Sequence, residues 1–110
     1  MAFTFRRRPV EGTIVASDDD NVDLWIELDD GRVFTATFFT IKNISTLMRR
    51  WRESGESASG AYFWATDMIV VESISEEVIE RTIADLIATG KIELCFERLY
   101  DSDDYKLAND

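Results

Sequence analysis

The stretch NVDLWIELDDGRVFTATFFT, residues Asn21 to Thr40, decides the fold: two runs alternating apolar and polar residues meet at Asp30-Gly31. Asp-Gly between such runs is the strongest short-range hairpin signal, because a type I′ turn needs positive φ at both central positions. A two-residue turn there predicts that Asp29 faces Arg32 and Trp25 faces Ala36. On that register Val22, Leu24, Ile26, Leu28, Val33, Thr35, Thr37 and Phe39 share one face, the expected core. The opposite face then carries Asp23, Trp25, Glu27, Asp29, Arg32, Phe34, Ala36 and Phe38, aromatics interleaved with carboxylates.

Upstream, Gly12 to Ser17 reads as a further strand joined to the hairpin by the polar loop Asp18 to Asn21, so a three-stranded meander is expected. Downstream, Ile41, Ile44, Leu47, Met48 and Trp51 recur at helical spacing, with Lys42, Arg49, Arg50 and Glu53 turned away. Ser54 to Gly60 holds two glycines and no apolar anchor, the composition of a loop. Ala61 to Glu72 is rich in aromatic and β-branched residues and predicts a central strand covered on both sides. Ser75 followed by Glu76 and Glu77 signals a helix start. The apolar face of that helix is Val78, Ile79, Thr82, Ile83, Leu86 and Ile87, and Gly90 is its stop. Lys91 to Tyr100 alternates Ile92, Leu94 and Phe96 with Glu93, Cys95 and Glu97 and predicts a last strand, while the acidic residues 101–110 are expected to fray. The expected fold class is α+β: one domain over residues 1–100, with a mainly antiparallel sheet of about five strands in βββαβαβ order and two helices.

Charge limits the function classes. The 110 residues contain 22 acidic and 12 basic side chains, no histidine and one cysteine, for a formal net charge of −10. Such a chain repels polyanions, so nucleic acid and anionic membrane are poor partners and basic proteins better ones. Arg6, Arg7 and Arg8 form a short basic run, but no apolar stretch follows, which argues against a secretory signal. A single cysteine forms no internal disulfide; with the missing signal this points to the reducing cytoplasm.

The inventory of reactive groups is thin. Without histidine there is no serine triad and no cysteine-histidine pair, and zinc loses its commonest nitrogen ligand. Cys95, between Glu93 and Glu97 on the expected strand, has neighbours that disfavour a thiolate and reads as a small structural residue. Gly12, Gly31, Gly55, Gly60 and Gly90 are scattered over turns and form no phosphate-binding loop. Asp18, Asp19, Asp20, Asn21 and Asp23 crowd five oxygen-bearing side chains together, yet the glycine and glutamate spacing of a calcium loop is missing. Neither a metal nor another cofactor is expected. Asp67 lies in the most apolar segment and reads as the cap of a backbone turn or the partner of an arginine such as Arg98, with a functional carboxylate as its alternative role.

The expected function is therefore non-catalytic binding. Trp25, Phe34 and Phe38 would supply desolvated anchors, and Asp23, Glu27 and Asp29 would steer and pair with arginine or lysine on a basic protein. In composition, a small acidic α+β domain with aromatics among carboxylates, the chain resembles bacterial toxin-immunity proteins. That resemblance implies an inhibitor whose acids mimic phosphates in the basic active site of a partner such as a nuclease toxin. The alternative is a homodimeric structural or regulatory subunit that pairs through the same aromatic face. Arg49, Arg50 and Arg52 read as a solvated helix face balancing nearby acids, with contact to an anionic ligand or to an acidic patch on a second subunit as the alternative.

Overall fold

The computed structural model of the protein describes residues 4–99. The hairpin forms, but one residue out of the expected register. Leu28 N–H donates to the Arg32 carbonyl at 2.9 Å and Gly31 N–H to the Leu28 carbonyl at 3.0 Å. The loop therefore holds Asp29, Asp30 and Gly31, with Gly31 left-handed at φ 94°. A three-residue loop closed by a left-handed residue is itself a common hairpin connection, so the change of turn costs little. Glu27 now pairs with Val33, Ile26 with Phe34 and Leu24 with Ala36.

Because side chains alternate with period two, the slip moves the whole second strand to the other face. Phe34, Ala36 and Phe38 join Leu24, Ile26 and Leu28 in the core, while Val33, Thr35, Thr37 and Phe39 share the face of Asp23, Trp25 and Glu27. Burying a phenylalanine is worth about 1.5–3 kcal/mol, and this register places two of them where threonines were expected. At the hairpin tip, Asp30 accepts the Arg32 N–H at 3.0 Å and the Arg32 Nε–H at 2.8 Å. The backbone bond from Arg32, opposed by partial desolvation and aided by the guanidinium, holds the Asp30 carboxyl below its ordinary range. Burial disfavours the Arg32 cation, but its bonds to Glu93 and Asp30 outweigh that and raise it.

Four strands form one mixed sheet. β1 (Phe5–Pro9), β2 (Asn21–Leu28), β3 (Val33–Thr40) and β4 (Met68–Val71) lie in that order, antiparallel except for β4, which runs parallel to β3. The α+β class is as expected; the five-stranded antiparallel sheet is not. The strand expected over Gly12 to Ser17 is displaced to β1, whose arginines look unlike a strand until they meet their partners. Arg6 reaches Glu27 across the ladder, and Arg7, on the opposite side, ion-pairs with Glu76 and Glu80. Of the expected strand only a bridge between Ser17 and Ile74 forms.

The run from Ala61 to Glu72 is likewise shortened, and β4 sits at the sheet edge rather than its centre. Asp67 is left-handed at φ 55°, so regular extended pairing starts only after it. A parallel neighbour demands a crossover, supplied by α1 (Ile41–Ser54), which begins at the Thr40 cap, and by the short α2 (Glu56–Gly60). Where a loop was expected, α2 winds left-handed at Ser57, Ala58 and Ser59. Gly60 then passes so close to α1 that a Cβ there would overlap the Met48 carbonyl oxygen.

The helix α3 (Glu76–Ala88) matches expectation at both ends. Ser75 Oγ accepts the Val78 N–H at 3.1 Å. Beyond its C-terminus, Gly90 N–H donates to Ile87 and Lys91 N–H to Leu86, the paired bonds of a left-handed glycine stop. The expected last strand is instead the single turn α4 (Ile92–Cys95). Ile92 and Phe96, four residues apart, are buried together, whereas Leu94 is 86% exposed. After that turn the chain only touches the sheet, at the Arg98–Phe34 bridge. Residues 101–110, expected to fray, lie outside the described residues.

The helices cover opposite faces. Ile79, Ile83, Leu86 and Ile87 of α3 pack with Phe34 and Phe38. On the other face Phe63 meets Phe39 edge-on at 4.8 Å and stacks on Trp51 of α1 at 5.3 Å. Among the described residues no helix is long and apolar enough to cross a membrane.

Candidate protein-binding surface

The six residues expected to form one binding face do not stay together. Phe34 and Phe38 are 0% exposed, beneath α3 and on the opposite side of the sheet from Trp25. They are core side chains in this fold. The four remaining residues lie along β2 and its turn, and each is engaged by the protein itself. Glu27, buried, accepts from Arg6 Nη2 at 2.8 Å. Asp29 accepts from the Thr4 hydroxyl at 2.9 Å. Trp25 is half-buried, with the Arg8 guanidinium 4.7 Å from its ring centroid. Asp23, which is exposed, accepts from the Thr37 hydroxyl at 2.6 Å. β1 thus lays its arginines over Trp25 and Glu27, and the expected acidic-aromatic patch is largely neutralised from within.

Asp23 is the exception, because it borders two adjoining clefts. The first, of about 380 Å³, runs between β2 and the segment after β1, and its carboxylates are Glu11, Asp20 and Asp23. Val10, Val15, Val22 and Ile74 give it apolar walls, with Val15 65% exposed. The second, of about 350 Å³, lies on the sheet face, where Asp23 and Asp67 stand among Thr35, Thr37 and Thr66. Val10 lines both, and no lysine or arginine lines either. The cleft at the other end of β1 and β2, near Asp29, does contain a cation, Arg6.

Local structure explains these positions. Gly12, left-handed at φ 64°, turns the chain back after β1 and so places Glu11 and Val15 beside β2. The acidic loop is clamped rather than open. Asp19 accepts from Asn43 Nδ2 at 3.2 Å and from the Thr46 hydroxyl at 3.1 Å, which fixes the loop to the first turns of α1. Asn21 Nδ2 donates to Asn43 Oδ1 at 2.8 Å and completes the network. Asp18 lies 3.7 Å from the Lys42 ammonium. These partners direct Asp18 and Asp19 toward α1 and leave Asp20 and Asp23 to the cleft. Among the described residues no group of three or more histidine, cysteine or acidic side chains is arranged to hold a metal ion.

Asp67 works chiefly as a backbone cap. Its Oδ1 accepts the Glu97 N–H at 2.8 Å and its carbonyl accepts the Thr37 N–H at 2.9 Å, tying the chain after α4 to the sheet. Cys95 packs half-buried against the core on α4. Glu11 and Val10 carried no signal in the sequence: they come to Asp23 only through the turn at Gly12, while Asp20 was visible merely as part of an acidic loop. No protein-family model, curated protein or solved structure matches this chain.

Proposed function

We propose that the protein is a small non-catalytic module that binds a cationic protein, in the manner of an immunity or antitoxin-type inhibitor of a basic partner such as a nuclease toxin. The observation that carries this reading is the pair of adjoining clefts in which Glu11, Asp20, Asp23 and Asp67 meet apolar walls and no cation. A lysine or arginine entering there would find carboxylates at its head and Val10 and Val15 along its aliphatic stem. Elsewhere many of the acids already have intramolecular cations: Glu27, Glu76, Glu80 and Glu93 all pair with arginine. A net charge of −10 would also steer a basic partner toward the module at low salt. The lone cysteine suits a reducing, cytoplasmic setting. The other reading, a homodimer through the Trp25 face, has less support, since Trp25 is half-buried beneath Arg8 and offers little surface for pairing.

The test is capture from host lysate on the tagged chain, beside the double variant Asp20→Lys, Asp23→Lys, with washes at low and high salt. The expected result is a basic protein held by the unaltered chain at low salt and absent from the variant. Identical captured proteins on both would refute the cleft as the binding site.

A further inference from the structure

The sequence places Ile41, Ile44, Leu47, Met48 and Trp51 on one core-facing stripe of α1, but the folded helix leaves the start of that stripe in solvent. Buried Asn43 and stacked Trp51 face inward, while Ile41 is 67% exposed. Ile41, Ile44 and Met48 instead floor an open groove of about 480 Å³, bordered by Ser45, Arg49 and Arg52. These positions repeat at three- and four-residue steps, so the groove follows the helix for roughly 16 Å at 1.5 Å per residue. Two exposed aromatics lie in the segment that follows α2. Gly60 packs on the backbone of Met48 and Arg52, and Phe63 is turned inward onto Trp51. Its neighbours Tyr62 and Trp64 are 50% and 63% exposed. Tryptophan, tyrosine and arginine are the side chains that dominate binding energy at protein interfaces.

Charge selects the occupant. Arg6, Arg7, Arg32, Lys42 and Arg81 each pair with a carboxylate, whereas Arg49, Arg50 and Arg52 form no ion pair among the described residues. An isologous dimer through this groove would offer Arg49 and Arg52 only the groove's own residues, none of them acidic, so a second copy leaves both cations unpaired. Nucleic acids and anionic membranes spread their charge over surfaces larger than the groove, where the net charge of −10 opposes them, whereas a short acidic segment can meet the arginines alone. We propose that the α1 groove docks an acidic segment of a partner protein, its large apolar side chains seated on Ile41, Ile44 and Met48 and its carboxylates on Arg49 and Arg52. This surface is separate from the acidic clefts and takes the opposite charge.

The probe is a displayed random-peptide library selected on the full chain, with the enriched peptides resynthesised and titrated. The expected result is a set in which Asp or Glu alternates with Leu, Ile, Phe or Trp. Their affinity should fall about tenfold or more on Arg49→Glu, Arg52→Glu and on Ile41→Asp, and be unchanged on Asp20→Lys, Asp23→Lys. All altered positions are exposed, and thermal melts confirm that the variants fold. Enrichment of no acidic-apolar set, or peptides that bind the groove variants equally well, overturns the proposal. Binding to phosphatidylglycerol vesicles that those variants abolish would overturn it in favour of a membrane. Self-association that they abolish in equilibrium sedimentation would overturn it in favour of a second copy.

Discussion

Truncation of Phe38 tests the hairpin register, on which the location of every candidate site depends. In the observed pairing Phe38 lies opposite Val22 and is 0% exposed. Phenylalanine-to-alanine changes in a closed core cost about 3–5 kcal/mol, the transfer free energy plus the cavity left behind. A domain of this size has a total stability of about 5–15 kcal/mol, so Phe38→Ala removes a large share of it. With a urea slope of about 1–2 kcal/mol per M, the unfolding midpoint should fall by about 1.5–5 M. Thr35, half-buried on the other face opposite Trp25, is the control, and Thr35→Ala should cost less than about 1 kcal/mol. The two-residue turn reverses these roles, with Thr35 in the core and Phe38 beside Asp23. Equilibrium urea unfolding followed by tryptophan fluorescence reads both variants. A loss below about 1 kcal/mol for Phe38→Ala, together with a larger one for Thr35→Ala, would refute the register and restore the acidic-aromatic face.

Three further expectations follow from single contacts. Gly60→Ala adds a methyl against the Met48 carbonyl at φ 79°, and should lower stability by about 2 kcal/mol or more in thermal or urea melts; a neutral change would mean that α2 does not pack on α1 as described. Arg6→Ala strips the partner from buried Glu27 and should cost about 1–3 kcal/mol, whereas Arg81→Ala, which breaks only exposed pairs, should cost less than about 1 kcal/mol; equal losses would deny Glu27 its burial. Asp30 is held below its ordinary carboxylate range, so the stabilisation it supplies is present above about pH 4 and fades as the pH drops through the folded-state value. Because Asp30 is half-exposed, its advantage over Asp30→Asn should stay under about 1 kcal/mol at pH 7 and close in acid; a gap constant down to pH 2 would show that the carboxylate is not responsible.

Local signals in the sequence were sufficient wherever a short segment carried its own physical instruction. Ser75 with Glu76 and Glu77, the spacing of Ile79, Ile83 and Leu86, and Gly90 set α3 from start to stop, because caps and helical periodicity act within a turn or two. The amphipathic α1 and the existence of a hairpin at Asp30-Gly31 were legible for the same reason. Pairing between distant segments was not legible. Arg6, Arg7 and Arg8 look like a solvated run until β2 and α3 bring Glu27, Glu76 and Glu80 to them, and only then do they make an edge strand. Alternation fixes which residues share a face within one strand but not how two strands align, and a single added loop residue sent Phe34 and Phe38 into the core. The partial cover of α1 was equally a tertiary matter: Trp51 stacks on Phe63 from a distant segment, while Ile41 and the groove beside Arg49 and Arg52 stay in solvent. The charge and the elements belong to the sequence. Which carboxylates stay unpaired, and which apolar side chains stay uncovered, depends on contacts between residues far apart in the chain.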